Sequence, residues 1–444
     1  VYKRQSLGSA NEDYAFETEF LGQDFTIRRF GADGDFDKAA ELLKKWDNEA
    51  TTFALSGLRF QDKINTSWSA SRQTENFNRL ASLVYTPITM GSMLRNVAFE
   101  WSLRHIDFKF NRFFYNARVL YLSGLAHFKM AQVMAEYTDN QSFADPVIEN
   151  GIPKFLSSLK EISRYATGAH ELLKWVPTKL FSKSVDPINS WNTHILHKAM
   201  QKASFIVVPY HGFFNYLKDT TVEELGGKTI ITATAYDDRV EFLKQRGVDI
   251  IIDATPKILE KVVGISVLEG LIMAALGKTP DTLDSDDLLE VISEQKMDPR
   301  VVYPSGEPKR VNRFAFVIHP LSQEFLKTEK SIDMVAQLSP PAFMDTLEKV
   351  IAYAPPWVYS RITGIKSPTG VEAEGWLITV GGTPKQMLSH RPEFTYRRLL
   401  QAARMAKRMG AQIMGLGAFT KVVGDAGITV AKQADIPITT GNSY

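Results

Sequence analysis

The segment "GLGAFT" at 415–420 combines residues that could cradle a phosphate. Two glycines one residue apart let a strand turn sharply into a helix, so that a pyrophosphate can approach the helix N-terminus. Thr420 replaces the third glycine of a dinucleotide loop, and the next acid at the expected distance, Asp435, precedes a strand instead of ending one. The spacing therefore favours a glycine-rich turn in a substrate-side domain over a dinucleotide loop. A ligand site is also expected at "VPYHGFFN" (208–215), which follows an apolar strand at the edge where doubly wound sheets bind ligands. Tyr210 and His211 have acid/base chemistry there, with a turn plugged by aromatic side chains as the competing explanation.

Other patterns have plainer explanations. "HILH" sets His194 and His197 at i, i+3, but no carboxylate follows at a metal-site spacing, so a helix-surface pair is expected and no metal. "AYDDR" (235–239) reads as a helix start, because Asp side chains there satisfy free N–H groups. "WSLRHIDFKFNRFFYNAR" (101–118) interleaves Arg104, Lys109, Arg112 and Arg118 with aromatics, as single-strand binders do. Helical spacing turns this into a buried aromatic face with a basic rim. In "YRRLLQAARMAKR" (396–408), Arg397, Gln401, Arg404 and Arg408 form a stripe opposite Leu399, Leu400, Ala403 and Ala406. That stripe is either a solvated face or a dock for an acidic partner.

These residues sit on an α/β framework. "FIVVP" (205–209), "KTIITATA" (228–235) and "VDIIIDATP" (248–256) are short, apolar and β-branched, with helical stretches between them. That pattern predicts a doubly wound parallel sheet covered on both faces. "DFTIRRF", an amphipathic helix carrying Phe36, Ala39, Ala40, Leu43 and Trp46, and "TTFALSGL" predict a β-α-β start. A helical insertion is expected over about 66–203, within one unit at 12–305. "YPSGEPKRVN" (303–312) marks a boundary, and a second, smaller α/β domain is expected over 311–444.

The 52 basic and 50 acidic residues leave a net charge of +2, so no overall field points to nucleic acid or to a membrane surface. The absence of cysteine excludes disulfides and thiol nucleophiles. The apolar run Val262–Leu276 is broken by Glu269 and is too short for a bilayer, and no secretory leader is visible, so a cytoplasmic location without a transmembrane segment is expected. "VYKRQ" reads as one frame of a transposon end, and residues 1–11 are expected to lie outside the fold.

The segments "FVIHPLS", "YAPPWV", "VEAEGWLITVGGTPKQML", "QAARMAKRMGAQIMGLGAFTKVVG" and "IPITTGNSY" are similar, in order and spacing, to cyanobacterial long-chain acyl-(acyl carrier protein) reductases. The resemblance covers about residues 313–444. It implies an NAD(P)H-dependent bacterial reductase of an activated acyl group, with an acyl-carrier or other small-molecule substrate. Gly417, Phe419, Thr420, Thr439, Thr440, Gly441 and Asn442 would line the cleft beside the nicotinamide, and Arg397, Arg404 and Arg408 would dock the carrier. It further implies that the NAD(P)H-binding Rossmann domain and the acyl-accepting cysteine lie beyond Tyr444, leaving this chain inactive alone. One departure is Lys421, which stands where the family has a small residue. The layout also resembles shikimate dehydrogenases, which would make Lys421 an acid/base group. A non-catalytic metabolite-binding or sensory module is the alternative from another class.

Overall fold

Strands of three or four residues, apolar and β-branched at β7, β8 and β9, build the N-terminal sheet. The computed structural model describes residues 13–56, 72–175, 186–210, 212–256, 258–259, 263–306, 311–319, 354–368, 371–382, 387, 389–417, 425 and 427–440. The chain divides into two compact units, Val1–Pro308 and Lys309–Tyr444.

In the first unit the strands are β1 (Tyr14–Phe20), β2 (Gln23–Arg29), β3 (Phe53–Ala54), β4 (Ile88–Thr89), β5 (Val119–Tyr121), β6 (Gln141–Phe143), β7 (Phe205–Val207), β8 (Thr229–Thr232), β9 (Ile250–Asp253) and β10 (Arg300–Val302). Six of them form a sheet in the order β10-β9-β8-β7-β5-β6. All neighbours are parallel except β10, which runs antiparallel to β9. The fold is thus α/β and doubly wound. From β5 the chain steps outward to β6, then crosses back to β7 and proceeds the other way. The switch point lies between β5 and β7.

Successive residues alternate between two buried faces. Phe205 and Val207 pack with helices Ser92–Lys109, Phe128–Met134 and Leu159–Trp175, whereas Ile206 and Val208 pack with Met200, Phe213, Leu217 and Leu243 on the other side. Two-sided burial explains why these strands are continuously apolar. Two expectations change here. The stretch over 66–203 is not only helical, because β5 and β6 lie inside it and β5 is central. The N-terminal strands also do not begin the large sheet: β2 pairs with β1 as an antiparallel hairpin, and β3 pairs with β4 as a separate parallel ribbon.

The second unit contains β11 (Val311–Ile318), β12 (Trp357–Lys366), β13 (Glu372–Thr379), β14 (Ile413–Leu416) and β15 (Ile438–Thr439), in the order β12-β13-β11-β14-β15. Only the β12–β13 pair is antiparallel. Helix Pro392–Arg408 buries Leu399, Ala402, Ala403 and Ala406 in the core of this unit. Two glycines are required by packing across the ladder. Phe314 lies opposite Gly375 and Phe316 opposite Gly415, and a Cβ on either glycine would stand 2.5 Å from the facing ring. No described helix is long and apolar enough to cross a membrane.

Candidate functional site

A pocket of about 990 Å³ opens at the carboxyl edge of the six-stranded sheet. Ser123 and His127 enter it from the loop after β5, Pro209 and Tyr210 from the loop after β7, and Thr234 and Tyr236 from the loop after β8. The opposite wall comes from β2, helix Phe36–Trp46, β3 and the first turns of helix Ile265–Leu276. Ligands of open α/β sheets collect at such a switch point, because adjacent loops diverge there and leave a crevice.

Each loop is fixed by buried polar groups. After β5, the Gly124 and Leu125 amides donate to the Asp145 carboxylate at 2.8 and 3.0 Å. Gly124 has no room for a side chain, since a Cβ would come within 2.4 Å of the Phe143 ring. Asp145 is fully buried, and burial, reinforced by the charge of Glu149, pushes its carboxyl up to about 7. His127 Nδ1 lies 2.9 Å from the Ser123 carbonyl, which only accepts, so the proton sits on Nδ1 and Nε2 is left as an acceptor. Burial pushes the imidazole down to about 4; the Ser123 bond opposes this and the Arg95 charge adds to it. The residue is 5 % exposed and lines the pocket. A neutral imidazole of this kind can accept a hydrogen bond or a proton from a bound molecule.

The loop after β8 is held more tightly. Thr234 adopts φ +55°, a left-handed conformation that is strained for a β-branched residue. Its amide donates to Asp253 Oδ1 at 2.7 Å, and the amides of Ala235 and Thr255 reach the same carboxylate at 2.9 Å each. Arg300 pairs with Asp253 and also donates to the Ala235 carbonyl at 2.7 Å. Over the loop after β7, the Arg239 guanidinium stands 4.3 Å from the Tyr210 ring centre, 4.9 Å from Phe213 and 5.8 Å from Tyr236. Burial, with the neighbouring Tyr210 hydroxyl, raises the Tyr236 phenol above its ordinary range.

The sequence-derived candidates fall as follows. Tyr210 lines the pocket; His211 lies outside the described residues. Gly417 directly follows β14, and Thr439 ends the neighbouring parallel strand β15 with Thr440 next after it; Gly415 is level with Thr439, so these candidates share one sheet edge. Phe419, Thr420, Lys421, Gly441 and Asn442 lie outside the described residues. Neither glycine of "GLG" is left-handed, and a Cβ on Gly417 would stand 2.7 Å from the Val317 carbonyl oxygen. Both glycines thus serve close packing on β11, and the described residues form no pyrophosphate cradle there. Arg397, Arg404 and Arg408 are exposed, as the stripe requires. His197 faces Glu224 at 3.6 Å, and the described residues hold no cluster of three or more potential metal ligands. Arg104 is paired with Glu100 and Glu136, each at 2.9 Å, which fits a solvated rim. The helix start at 235–239 is capped by Tyr236 with no side-chain bond.

Sequence reasoning missed His127, Asp145, Thr234 and Asp253. Asp253 closes the legible strand "VDIIIDATP" and could have been found there as a strand-end acid.

Two family models match the chain. Residues 5–90 match DUF8753 and residues 93–304 match DUF8754, both described as domains of unknown function. The pocket draws its walls from both matched segments. Aminotransferase PigE of Serratia sp. (strain ATCC 39006) is 28% identical over 134 residues, 30% of this chain. The match spans 15% of that protein's length.

Proposed function

We propose that the N-terminal unit is a small-molecule-binding module, with its ligand in the pocket between the loops after β5 and β7. The observation that carries this reading is the position of the pocket: about 990 Å³ at the switch point of a doubly wound sheet, with backbone-anchored loops on one side and an aromatic and aliphatic wall on the other. Ala274 lines the far wall. The neutral fluorophore N-phenyl-1-naphthylamine is expected to bind the full chain, and Ala274→Trp is expected to reduce that binding at least tenfold without lowering the melting temperature. Equal binding by both proteins would contradict the reading.

A second reading concerns the C-terminal unit, and one observation favours it: Gly417 and Thr439–Thr440 stand at neighbouring carboxyl ends of parallel strands. We propose on this ground, and on the resemblance of residues 313–444, that the unit is the substrate side of an NAD(P)H-dependent acyl reductase, with the cofactor held by a further domain. An aminotransferase consumes a carbonyl compound, and acyl reduction to an aldehyde produces one, so the relative's printed name fits adjacent chemistry. The exposed Arg397, Arg404 and Arg408 would then meet an acidic carrier. The shikimate-dehydrogenase-like alternative rests on Lys421 and is carried by no described residue. On this reading the chain alone holds NADPH no more tightly than millimolar by fluorescence titration. Micromolar binding would overturn it.

A further inference from the structure

One end of the pocket is formed by backbone with a positive bias. Gly264, Ile265, Ser266 and Val267 are the N-cap and first turn of the 12-residue helix Ile265–Leu276, and all four line the pocket. This first turn contains no acidic residue, and no side chain caps it. The Val267 N–H is already donated to the Gly264 carbonyl at 2.9 Å, so the N–H groups of Ile265 and Ser266, with the helix dipole, are the ones that attract negative charge.

A second observation is independent of the helix end. Ser266 is 4 % exposed, and its hydroxyl makes no hydrogen bond to any described residue although the residue lines the pocket. A hydroxyl without a partner in the protein is free to donate to a ligand acceptor. Three arginines line the pocket: Arg29, which pairs with Asp13 at 3.5 Å, Arg28, which stands over the Trp46 ring, and Arg95. Arg95 is the one whose helix packs on the Ser266 turn. It sits one turn into helix Ser92–Lys109, whose N-cap Gly91 is pressed against Ser266: a Cβ there would come within 2.5 Å of the Ser266 Cα. The nearest buried acid on the same helix, Glu269, is engaged by Thr89 and by the Leu94 amide at 2.6 Å; burial raises its carboxyl, while these bonds and the Arg95 charge oppose the rise. Asp24 and Glu49 also line the pocket but are exposed, and Glu149 enters beside Asp145. From the helix end, Leu271, Ala274, Leu42, Leu43 and Phe53 continue as an apolar wall.

We infer that the pocket takes an organic anion, a carboxylate or phosphate monoester on an apolar body, with its charged group at the Gly264–Val267 turn between Ser266 and Arg95. The inference rests on the small-molecule reading above. It fixes the polarity of the ligand: anionic head on the helix end, hydrocarbon along Leu271 and Ala274.

The full chain is titrated with octanoate, octyl phosphate and 1-octanol, each displacing N-phenyl-1-naphthylamine, at low and high salt. At least one of the anions is expected to bind ten or more times tighter than 1-octanol, with the advantage shrinking in high salt. Whichever anion binds tighter identifies the head group. Arg95→Gln should weaken that anion at least tenfold and Ser266→Ala about threefold, with 1-octanol unchanged in both. The Ser266→Ala and salt arms stand even if Arg95→Gln fails to fold. Equal binding of anions and alcohol, or anion binding indifferent to all three perturbations, overturns the inference while leaving the pocket reading intact. If the fluorophore itself fails to bind, the pocket reading falls, and the inference with it.

Discussion

Asp253→Ala is expected to destabilise the N-terminal unit by about 3–5 kcal/mol, the range for breaking one partner out of a buried ion pair. The carboxylate is fully buried and gathers the amides of Thr234, Ala235 and Thr255 together with Arg300. Removing it leaves the Ala235 and Thr255 N–H groups without an acceptor, leaves the Thr234 N–H with only the Thr255 hydroxyl at 2.9 Å, and leaves a guanidinium without a counter-charge. It also removes what holds Thr234 at φ +55°, so the loop after β8 should relax and release Tyr236 from the pocket wall. Asp253→Asn keeps the size but donates where it should accept, and is expected to fall between wild type and Asp253→Ala. Denaturant unfolding followed by circular dichroism checks both. A loss below about 1 kcal/mol in Asp253→Ala, the size of an ordinary exposed contact, would mean that the network does not hold the loop.

The second large effect concerns acid–base balance at the loop after β5. His127 has an imidazole lowered to about 4 from an ordinary value of 6.5, so its contribution to stability is complete above 6.5 and is lost as pH falls through 4. The shift corresponds to about 3 kcal/mol over that window. Asp145 behaves oppositely. Its carboxyl is raised from 3.8 to about 7 by burial and by Glu149, so the folded state holds a proton that the unfolded state has lost. Stability from Asp145 is therefore complete below 3.8 and declines as pH rises to 7. Between pH 4 and 6.5 the two contributions oppose each other, and the wild type should show little slope from this pair. Asp145→Asn should uncover the His127 contribution, with stability rising with pH across that interval. His127→Gln should uncover the Asp145 contribution, with stability falling. Melting temperatures from pH 4 to 8 decide the matter; variant profiles parallel to the wild type would contradict it.

Local sequence made some of this architecture readable. β7, β8 and β9 are apolar and β-branched because both of their faces are buried, and they are the strands that the pattern identifies. β5 and β6 are three residues each; "QSF" has neither a β-branched residue nor an apolar run, and "VLY" is too short an apolar run to be told from a buried helical segment. Missing β5 hid His127, and missing β6 hid Asp145, since both acquire meaning only as residues after a strand. Tyr210 was legible because it follows "FIVVP". "DFTIRRF" was recognisable as a strand, but its partner was not, because pairing with Tyr14–Phe20 is a tertiary outcome. "GLG" shows the converse problem: glycines that accommodate Phe316 and the Val317 carbonyl have the same spelling as glycines that admit a phosphate. The helix end at Gly264 offered no sequence signal, since an absent acidic residue is not a motif.

The most direct test of the pocket is amide hydrogen exchange of the full chain with and without N-phenyl-1-naphthylamine. Protection concentrated in 23–30, 39–56, 122–127, 209–210, 233–236 and 264–274, the segments that line it, is the expected result. Exchange unchanged in all of these, or protection only within 311–440, would contradict a ligand site in the N-terminal unit.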